Sequence, residues 1–180
     1  MGTIIFLLVM AFAATGILGE GNKNNPSGTQ NQKENIEQVN QFQSYKDMIE
    51  NKDFVLEADY LQDIYGHRVI VNNTINFVSI DSTTAVIQVG SNYRLGANGV
   101  GGVTAKGNIT NWKLTEDKKN ASFNVFATAM TPIGIYDLQF DISSSGYSTV
   151  HLTGLTHGQL TFEGQVVPYS QSRVYEGMSY

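Results

Sequence analysis

The sequence contains no cysteine, only three prolines and a single tryptophan. Without cysteine the chain has no disulfide framework, no thiolate nucleophile, no cysteine-ligated zinc or iron-sulfur site and no thiol to carry a lipid anchor. Its stability must therefore come from the burial of apolar side chains and from hydrogen bonds.

Positive charge is also scarce. Lys and Arg total 11 against 16 Asp and Glu, so the formal net charge is -5. This balance excludes the basic surface with which proteins bind nucleic acid or anionic lipid. A chain of 180 residues is expected to form one domain rather than two.

The first 19 residues carry no charge and are apolar from Ile4 to Ala14. The apolar run falls short of the roughly 20 residues that a membrane span requires, and it predicts an export signal. An uncleaved anchor and a buried core helix are the alternatives. No Lys or Arg precedes the run, which departs from the basic start of most signals. The predicted location is the periplasm, the outer envelope or the exterior of the cell.

Residues 20–35 are almost wholly polar and predict a flexible linker. Residues 36–51 predict an amphipathic helix, because apolar side chains recur there at steps of mostly three. Asn35 and Gln38 have the spacing of a capping box at its start. The apolar stripe consists of Ile36, Val39, Phe42, Tyr45, Met48 and Ile49.

Residues 52–177 change to a period of two, which predicts an antiparallel β domain with one face buried. In residues 136–143, for example, Tyr, Leu, Phe and Ile alternate with Asp, Gln, Asp and Ser. About eight strands at short spacing, with no helix between them, favour a small barrel or a sandwich. The predicted strands are 54–61, 74–80, 84–90, 101–115, 121–129, 136–143, 148–154 and 159–167.

The stretch GANGVGGVTAKG (96–107) is rich in glycine but fails both phosphate-loop patterns. Gly102 stands where a Walker loop needs lysine, and Thr104 stands at the last glycine of the dinucleotide fingerprint. No cofactor is therefore predicted. The stretch instead predicts a turn at 98–99 that enters a bulged strand, in which Gly101, Gly102 and Gly107 permit positive φ or a close backbone approach.

Several phrases of the sequence resemble, in order and spacing, the Bacteroidetes domain-of-unknown-function family 4251. The resemblance covers residues from about 33 to 177 and implies a small exported protein, often a lipoprotein, with a helical lead-in, a β-rich domain and no established activity. Glu20 stands where the lipoprotein version places its cysteine, so a lipid anchor is not expected. The phrases lie at 53–61, 71–81, 85–91, 96–114, 144–152 and 160–177.

Metal and catalytic sites are not predicted. His67, His151 and His157 show none of the spacings of metal-ligating histidines and are interpreted as surface residues. Four carboxylates project in pairs from strand faces, and paired carboxylates can hydrolyse glycosidic bonds, but such alternation is also usual on a solvated sheet. They are Glu57 with Asp59 and Asp137 with Asp141.

Aromatic residues form 11% of the chain and could serve a carbohydrate or peptide ligand, although core packing and cover of a sheet edge are the simpler roles. Those at less apolar positions are Trp112, Tyr65, Tyr93, Tyr147, Tyr169, Tyr175 and Tyr180. After the last strand, Pro168 predicts a final edge segment that Arg173 would pin.

The sequence thus predicts an exported, non-catalytic binding or structural β domain of the cell envelope, with an envelope protein or a glycan as its partner. One alternative is a closed barrel that holds a small ligand, and it requires a lumen that is not filled by Phe123, Leu138, Phe140 and Leu152. The other alternative is a carboxylate-dependent hydrolase.

Overall fold

The computed structural model describes residues 26–91, 101–154 and 158–179, with side chains described from residue 36 onward. One helix, α1 (Pro26–Glu50), precedes nine strands. The strands are β1 (Asp53–Asp63), β2 (Arg68–Ile70), β3 (Phe77–Asp81), β4 (Thr84–Val89), β5 (Val103–Asp117), β6 (Ser122–Thr131), β7 (Gly134–Ile142), β8 (Tyr147–Gly154) and β9 (Gln159–Pro168).

Eight of these strands form a closed antiparallel barrel, in the order β1-β3-β4-β5-β6-β7-β8-β9. The barrel closes where β9 pairs with β1, from Phe54 opposite Pro168 to Asp63 opposite Leu160. The short strand β2 pairs only with the second half of β1. Closure decides between the two predicted architectures in favour of the barrel, and it leaves no unpaired edge among the eight strands.

The eight predicted strands correspond to the eight strands of the barrel. The prediction missed β2, whose three residues are all exposed and therefore show no alternation. It also started β3 too early, at Thr74 rather than Phe77. Thr74 lies in a turn, where its backbone N–H and its hydroxyl both donate to Asn72 Oδ1, at 3.0 and 2.8 Å.

The lumen of the barrel is filled with apolar side chains. Phe54, Phe123, Phe140 and Phe162 are completely buried there, and the ring of Phe54 meets that of Phe140 edge to face at 5.5 Å. Smaller inward residues of β6 and β7 pack between them. The core of the molecule is therefore the interior of the barrel itself.

The last turns of α1 close one end of the barrel. Met48 and Ile49 are buried against the lumen side chains, and Phe42 and Tyr45 pack beside them. Residues 36–41, by contrast, are all exposed. The helix is thus packed on the barrel through its last turns, whereas residues 36–41 stay exposed.

The predicted start of this helix was wrong. It begins at Pro26, so most of the predicted linker is helical, and Asn35 and Gln38 lie inside the helix rather than at its cap. Proline is well tolerated in the first turn, and the Gln, Lys and Glu residues that follow have good helix propensity. These polar residues carry no apolar period, and the pattern alone therefore could not extend the helix through them.

Two of the predicted roles for glycines are confirmed. Gly101 has φ of 80°, in the left-handed region. Gly107 lies against β6, where a Cβ atom would overlap the carbonyl group of Met130. The bulge in β5 follows directly, between Ile109 and Asn111. The predicted turn at 98–99 lies outside the described residues.

After β9, residues 169–179 cross the outer face of β1, β3 and β4, and we call them the C-terminal strap. Val174 of the strap packs on a second apolar cluster formed by Val55, Phe77 and Val86, outside the barrel. Because three strands carry apolar residues on both faces at this point, the strap is needed to keep their outer face dry.

Gln88 on the outer face of β4 holds the strap and is completely buried. Its amide nitrogen donates to the carbonyls of Ile75 and Tyr175, at 3.1 and 2.8 Å. Its amide oxygen accepts from the Thr104 hydroxyl and from the backbone N–H of Gly177, at 2.9 and 2.8 Å. All four hydrogen-bonding positions of the amide are used.

The final segment follows β9 as predicted, but it crosses the outer face of the barrel rather than lying at a sheet edge, and the residue expected to pin it was wrong. Arg173 is exposed, and it is its backbone N–H that donates to Glu57, at 3.1 Å. The ion pair of the strap is instead formed by Lys106 and Glu176, at 2.9 Å. The Glu176 carboxylate raises the pKa of Lys106 by accepting its hydrogen bond.

Candidate functional site

A groove of about 890 Å³ runs between α1 and the end of the barrel that the helix closes. Its helical wall includes Val39, which is 67% exposed, and Phe42. Two turns of the barrel form the opposite wall, the one between β5 and β6 and the one between β7 and β8. The lining residues are Gln38, Val39, Gln41, Phe42, Glu116, Lys118, Ala121, Ser144 and Ser145.

The floor of the groove is fixed by contacts between α1 and the barrel. The ring of Phe42 stacks on that of Phe123, with 4.7 Å between centroids. Lys46 donates to Glu116 at 2.9 Å, and this hydrogen bond raises the pKa of Lys46. On the lysine side, the contribution of this pair to stability is fully present below the ordinary lysine pKa of 10.5 and is lost as the pH rises through the raised pKa.

The turn between β5 and β6 is organised by one carboxylate. Asp117 accepts from the side chain of Asn120 at 2.7 Å and from the backbone N–H groups of Asn120 and Lys119, at 3.2 and 3.0 Å. These bonds, that of the Asn120 side chain foremost, lower the pKa of Asp117 below its ordinary value of 3.8. The turn is therefore held at neutral pH in the shape that lines the groove.

We expect Asp117→Ala to lower the midpoint of thermal unfolding at pH 7 and to lose this effect in acid. The folded state holds Asp117 ionised, so its contribution to stability is present above pH 3.8 and disappears as the pH falls through the lowered pKa. Thermal melts of both proteins from pH 7 to pH 2 measure the difference. Lys118→Ala in the same turn is the control, and an Asp117 effect that stays constant down to pH 2 would contradict the expectation.

The four carboxylates considered for hydrolysis do not face one another across a cleft. Glu57 accepts from the Ser172 hydroxyl at 2.7 Å and so holds the strap, and Asp59 accepts from Asn73 at 3.2 Å. Asp137 and Asp141 lie four residues apart on β7, about 13 Å along a strand. The two pairs are also far from each other, because two strands, β8 and β9, separate β7 from β1.

The histidines also lie apart. His67 is exposed beside Asp63, with 2.8 Å between its Nδ1 and the carboxylate, whereas His151 lies on the outer face of β8. Although burial opposes it, the hydrogen bonds from His67 and Tyr65 lower the pKa of Asp63. Among the described residues, no group of three or more His, Asp or Glu side chains is placed to hold a metal ion. His157 lies outside the described residues.

The aromatic residues singled out in the sequence divide between core and surface. Trp112 packs against the core, 6.3 Å from the ring of Phe54, and Lys52 lies over its ring at 5.1 Å. Four of these residues are exposed: Tyr65, Tyr147, Tyr169 and Tyr175. They lie in a turn, on β8 and on the strap, so they do not form one surface. Tyr93 and Tyr180 lie outside the described residues.

The lumen residues named for the ligand-carrying alternative fill the interior. Phe123, Leu138 and Phe140 are completely buried, and Leu152 packs against them from a partly buried position. The centre of the barrel is therefore occupied by the protein's own side chains, which argues against a central ligand.

The groove was not predicted from the sequence. Val39 and Phe42 belong to the predicted helical stripe, but the residues of the opposite wall come from turns more than 20 positions apart. Their only signal in the sequence is turn composition, which any hairpin shares. The pairing of β6 with β7 places these turns side by side at one end of the barrel.

Comparison with protein families shows a match over residues 29–166 to a family described as "Domain of unknown function (DUF4251)". A search of curated proteins found no match. Among solved structures, the chain is similar to a DUF4251 family protein from Bacteroides eggerthii DSM 20697, with 24% identity and a TM-score of 0.63. The similarity covers 78% of this chain and 95% of that one, and at this identity it establishes the fold.

Proposed function

We propose that this chain, which belongs to the DUF4251 family, is an exported, non-catalytic barrel of the cell envelope that binds a partner protein along α1. The observation that carries the proposal is the apolar stripe of this helix, whose first two residues, Ile36 and Val39, are not covered by the barrel. The groove beside these two residues is the proposed binding site.

The stripe is continuous from its covered residues to the two exposed ones. Ile36, Val39 and Phe42 follow one another at steps of three, close to one turn of helix. Phe42 is covered by Phe123, whereas Val39 and Ile36 are 67% and 60% exposed. A partner that covered these two residues would extend the existing interface between helix and barrel.

The partner is expected to present apolar side chains with a polar surround. A helix without tertiary packing is only marginally stable in water, and residues 36–41 of α1 have no packing of this kind. The groove places Lys118, Ser144 and Ser145 around the apolar wall, and an apolar centre with a polar rim is usual in protein interfaces.

Cross-linking in the native host tests this site. A photoreactive amino acid at position 144, on the barrel wall, is expected to form an adduct with one partner, and Val39→Asp is expected to abolish that adduct. Val39 is too exposed for the substitution to affect folding. Gln43→Asp, at another exposed position of α1, is the control and should leave the adduct intact.

Three outcomes would refute the proposed site. They are no adduct, an adduct that Val39→Asp leaves unchanged, and an adduct consisting of a second copy of this chain. The last outcome would identify the groove as a dimer interface, and light scattering of the purified protein measures it independently.

Export is supported by the uncharged apolar start of the sequence, residues 1–19. In the described part of the chain, no helix has the length and apolar character to cross a membrane. We expect the protein in the envelope or medium fraction, with a new N-terminus near residue 14 or 20. Cell fractionation and N-terminal sequencing measure this, and full-length protein in the cytoplasm would refute it.

The scattered carboxylates support a non-catalytic role. Glu57 and Asp59 are each hydrogen-bonded to a neighbouring segment, and Asp137 and Asp141 lie farther apart along their strand than the roughly 6.5–9.5 Å that separates the acids of an inverting glycosidase.

A further inference from the structure

Phe126 interrupts a polar region on the outer surface of the barrel. It lies on β6 and points outward, and the alternation places polar residues on either side of it, Asn124 and Thr128. Its neighbour across the sheet on β7 is Gln139, which in turn pairs with His151 on β8. The position belongs to a solvated face, where a phenylalanine contributes nothing to the core.

A depression of about 240 Å³ lies beside this ring. Two adjacent rows of the sheet form it, because Phe126, Gln139 and His151 are in register across three strands, and Asp137 and Thr153 are in register in the next row. Gln159 closes the depression on β9. The side chains offered to a ligand are thus one aromatic ring, one carboxylate, two amides, one imidazole and one hydroxyl.

Two of these polar groups are held in fixed positions. The Thr128 hydroxyl donates to Asp137 Oδ1 at 2.7 Å, which leaves the second carboxylate oxygen for a ligand. His151 Nδ1 lies 3.0 Å from the Thr161 hydroxyl and 3.1 Å from the amide nitrogen of Gln159. Thr161 and Gln159 thus orient the imidazole of His151 through its Nδ1 atom.

We propose that this depression binds one residue of a neutral sugar, and that Phe126 carries the ring while Asp137, Gln139 and His151 bind its hydroxyls. A sugar ring has an apolar C–H face and a rim of hydroxyls that both donate and accept, which matches an aromatic ring among mixed polar groups. The volume is below the range of pockets for drug-sized ligands and suits a single ring. Asp137 is the one carboxylate among the lining residues, and Lys113, the β5 neighbour of Phe126, is not part of the lining, so the depression disfavours an anionic sugar.

Titration of the ¹⁵N-labelled full chain with glucose, galactose, mannose and N-acetylglucosamine tests the site. At least one sugar is expected to cause saturable shifts of the amide signals at 126, 137, 139 and 151. Phe126→Ala should raise its dissociation constant at least tenfold, and Phe126→Tyr should retain binding. The control Tyr65→Ala removes an aromatic ring that is 83% exposed in the turn between β1 and β2 and does not line the depression, and it should have no effect.

Gln139→Ala provides a second variant, because it removes an exposed amide and cannot unfold the barrel. It is expected to weaken binding severalfold. The proposal is overturned if none of the four sugars gives saturable shifts, if Phe126→Ala binds as tightly as the wild type, or if the shifts map to the α1 groove. Val39→Asp should leave sugar binding unchanged, so this site and the proposed partner site can fail separately.

Discussion

Phe140→Ala is expected to lower the free energy of unfolding by about 3–5 kcal/mol, the usual loss for a phenylalanine removed from a core. Phe140 is completely buried in the lumen and meets the ring of Phe54 edge to face. The surrounding strands are hydrogen-bonded on both sides in a closed barrel, so they cannot move inward to fill the cavity. Urea denaturation followed by circular dichroism measures the loss.

Phe126→Ala is the matched control, since it makes the same chemical change on the outer face of the neighbouring strand. Phe126 is partly exposed, so its removal should cost less than about 1.5 kcal/mol, well below a core truncation. Equal losses in the two variants would show that the lumen is not the core of the protein. The cavity left by Phe140→Ala should bind a small apolar molecule such as benzene, as apolar cavities do. The filled lumen of the wild type should not bind it, which tests the ligand-carrying alternative.

Gln88→Leu is expected to lower the free energy of unfolding by about 2–4 kcal/mol. The substitution deletes the four hydrogen bonds of a completely buried amide. A buried group that loses its hydrogen-bond partner costs about 1–3 kcal/mol. The carbonyl of Tyr175 and the N–H of Gly177 lie on the strap and can bind water if the strap detaches. The loss of stability is therefore smaller than four times the cost of one unsatisfied group.

Hydrogen exchange distinguishes detachment of the strap from a general loss of stability. In Gln88→Leu, the amide of Gly177 is expected to exchange much faster, while amides in the centre of β6 follow global unfolding. The control Gln139→Leu changes an exposed glutamine and should stay within about 0.5 kcal/mol. A Gly177 amide that remains as protected as in the wild type would show that Gln88 does not hold the strap.

Much of the barrel could be predicted from the sequence, because a period of two records which side chains face the core. The alternation of Phe123, Val125 and Ala127 placed these residues in the interior, and all three are buried. The break between the predicted strands 101–115 and 121–129 likewise lies close to the turn that joins β5 to β6.

The parts of the fold and of the site that escaped prediction show no periodic alternation of apolar and polar residues, or they depend on residues distant in sequence. The first turns of α1 are polar all round, and the exposed β2 does not alternate. The apolar stripe of α1 was visible, but a stripe does not reveal that the barrel covers Phe42 and leaves Val39 exposed. That division depends on where the turns at 118–121 and 143–146 lie in space.

The sequence by itself determined the eight strands, their inward faces and the absence of any cysteine chemistry, since these follow from composition and local alternation. Only the tertiary structure decided that the strands close into a barrel rather than a sandwich. Closure rests on the pairing of Phe54 with Pro168, and no local pattern encodes a contact over that separation. Strand pairing likewise assembles the groove, the strap contacts and the Phe126 depression from residues that are distant in sequence.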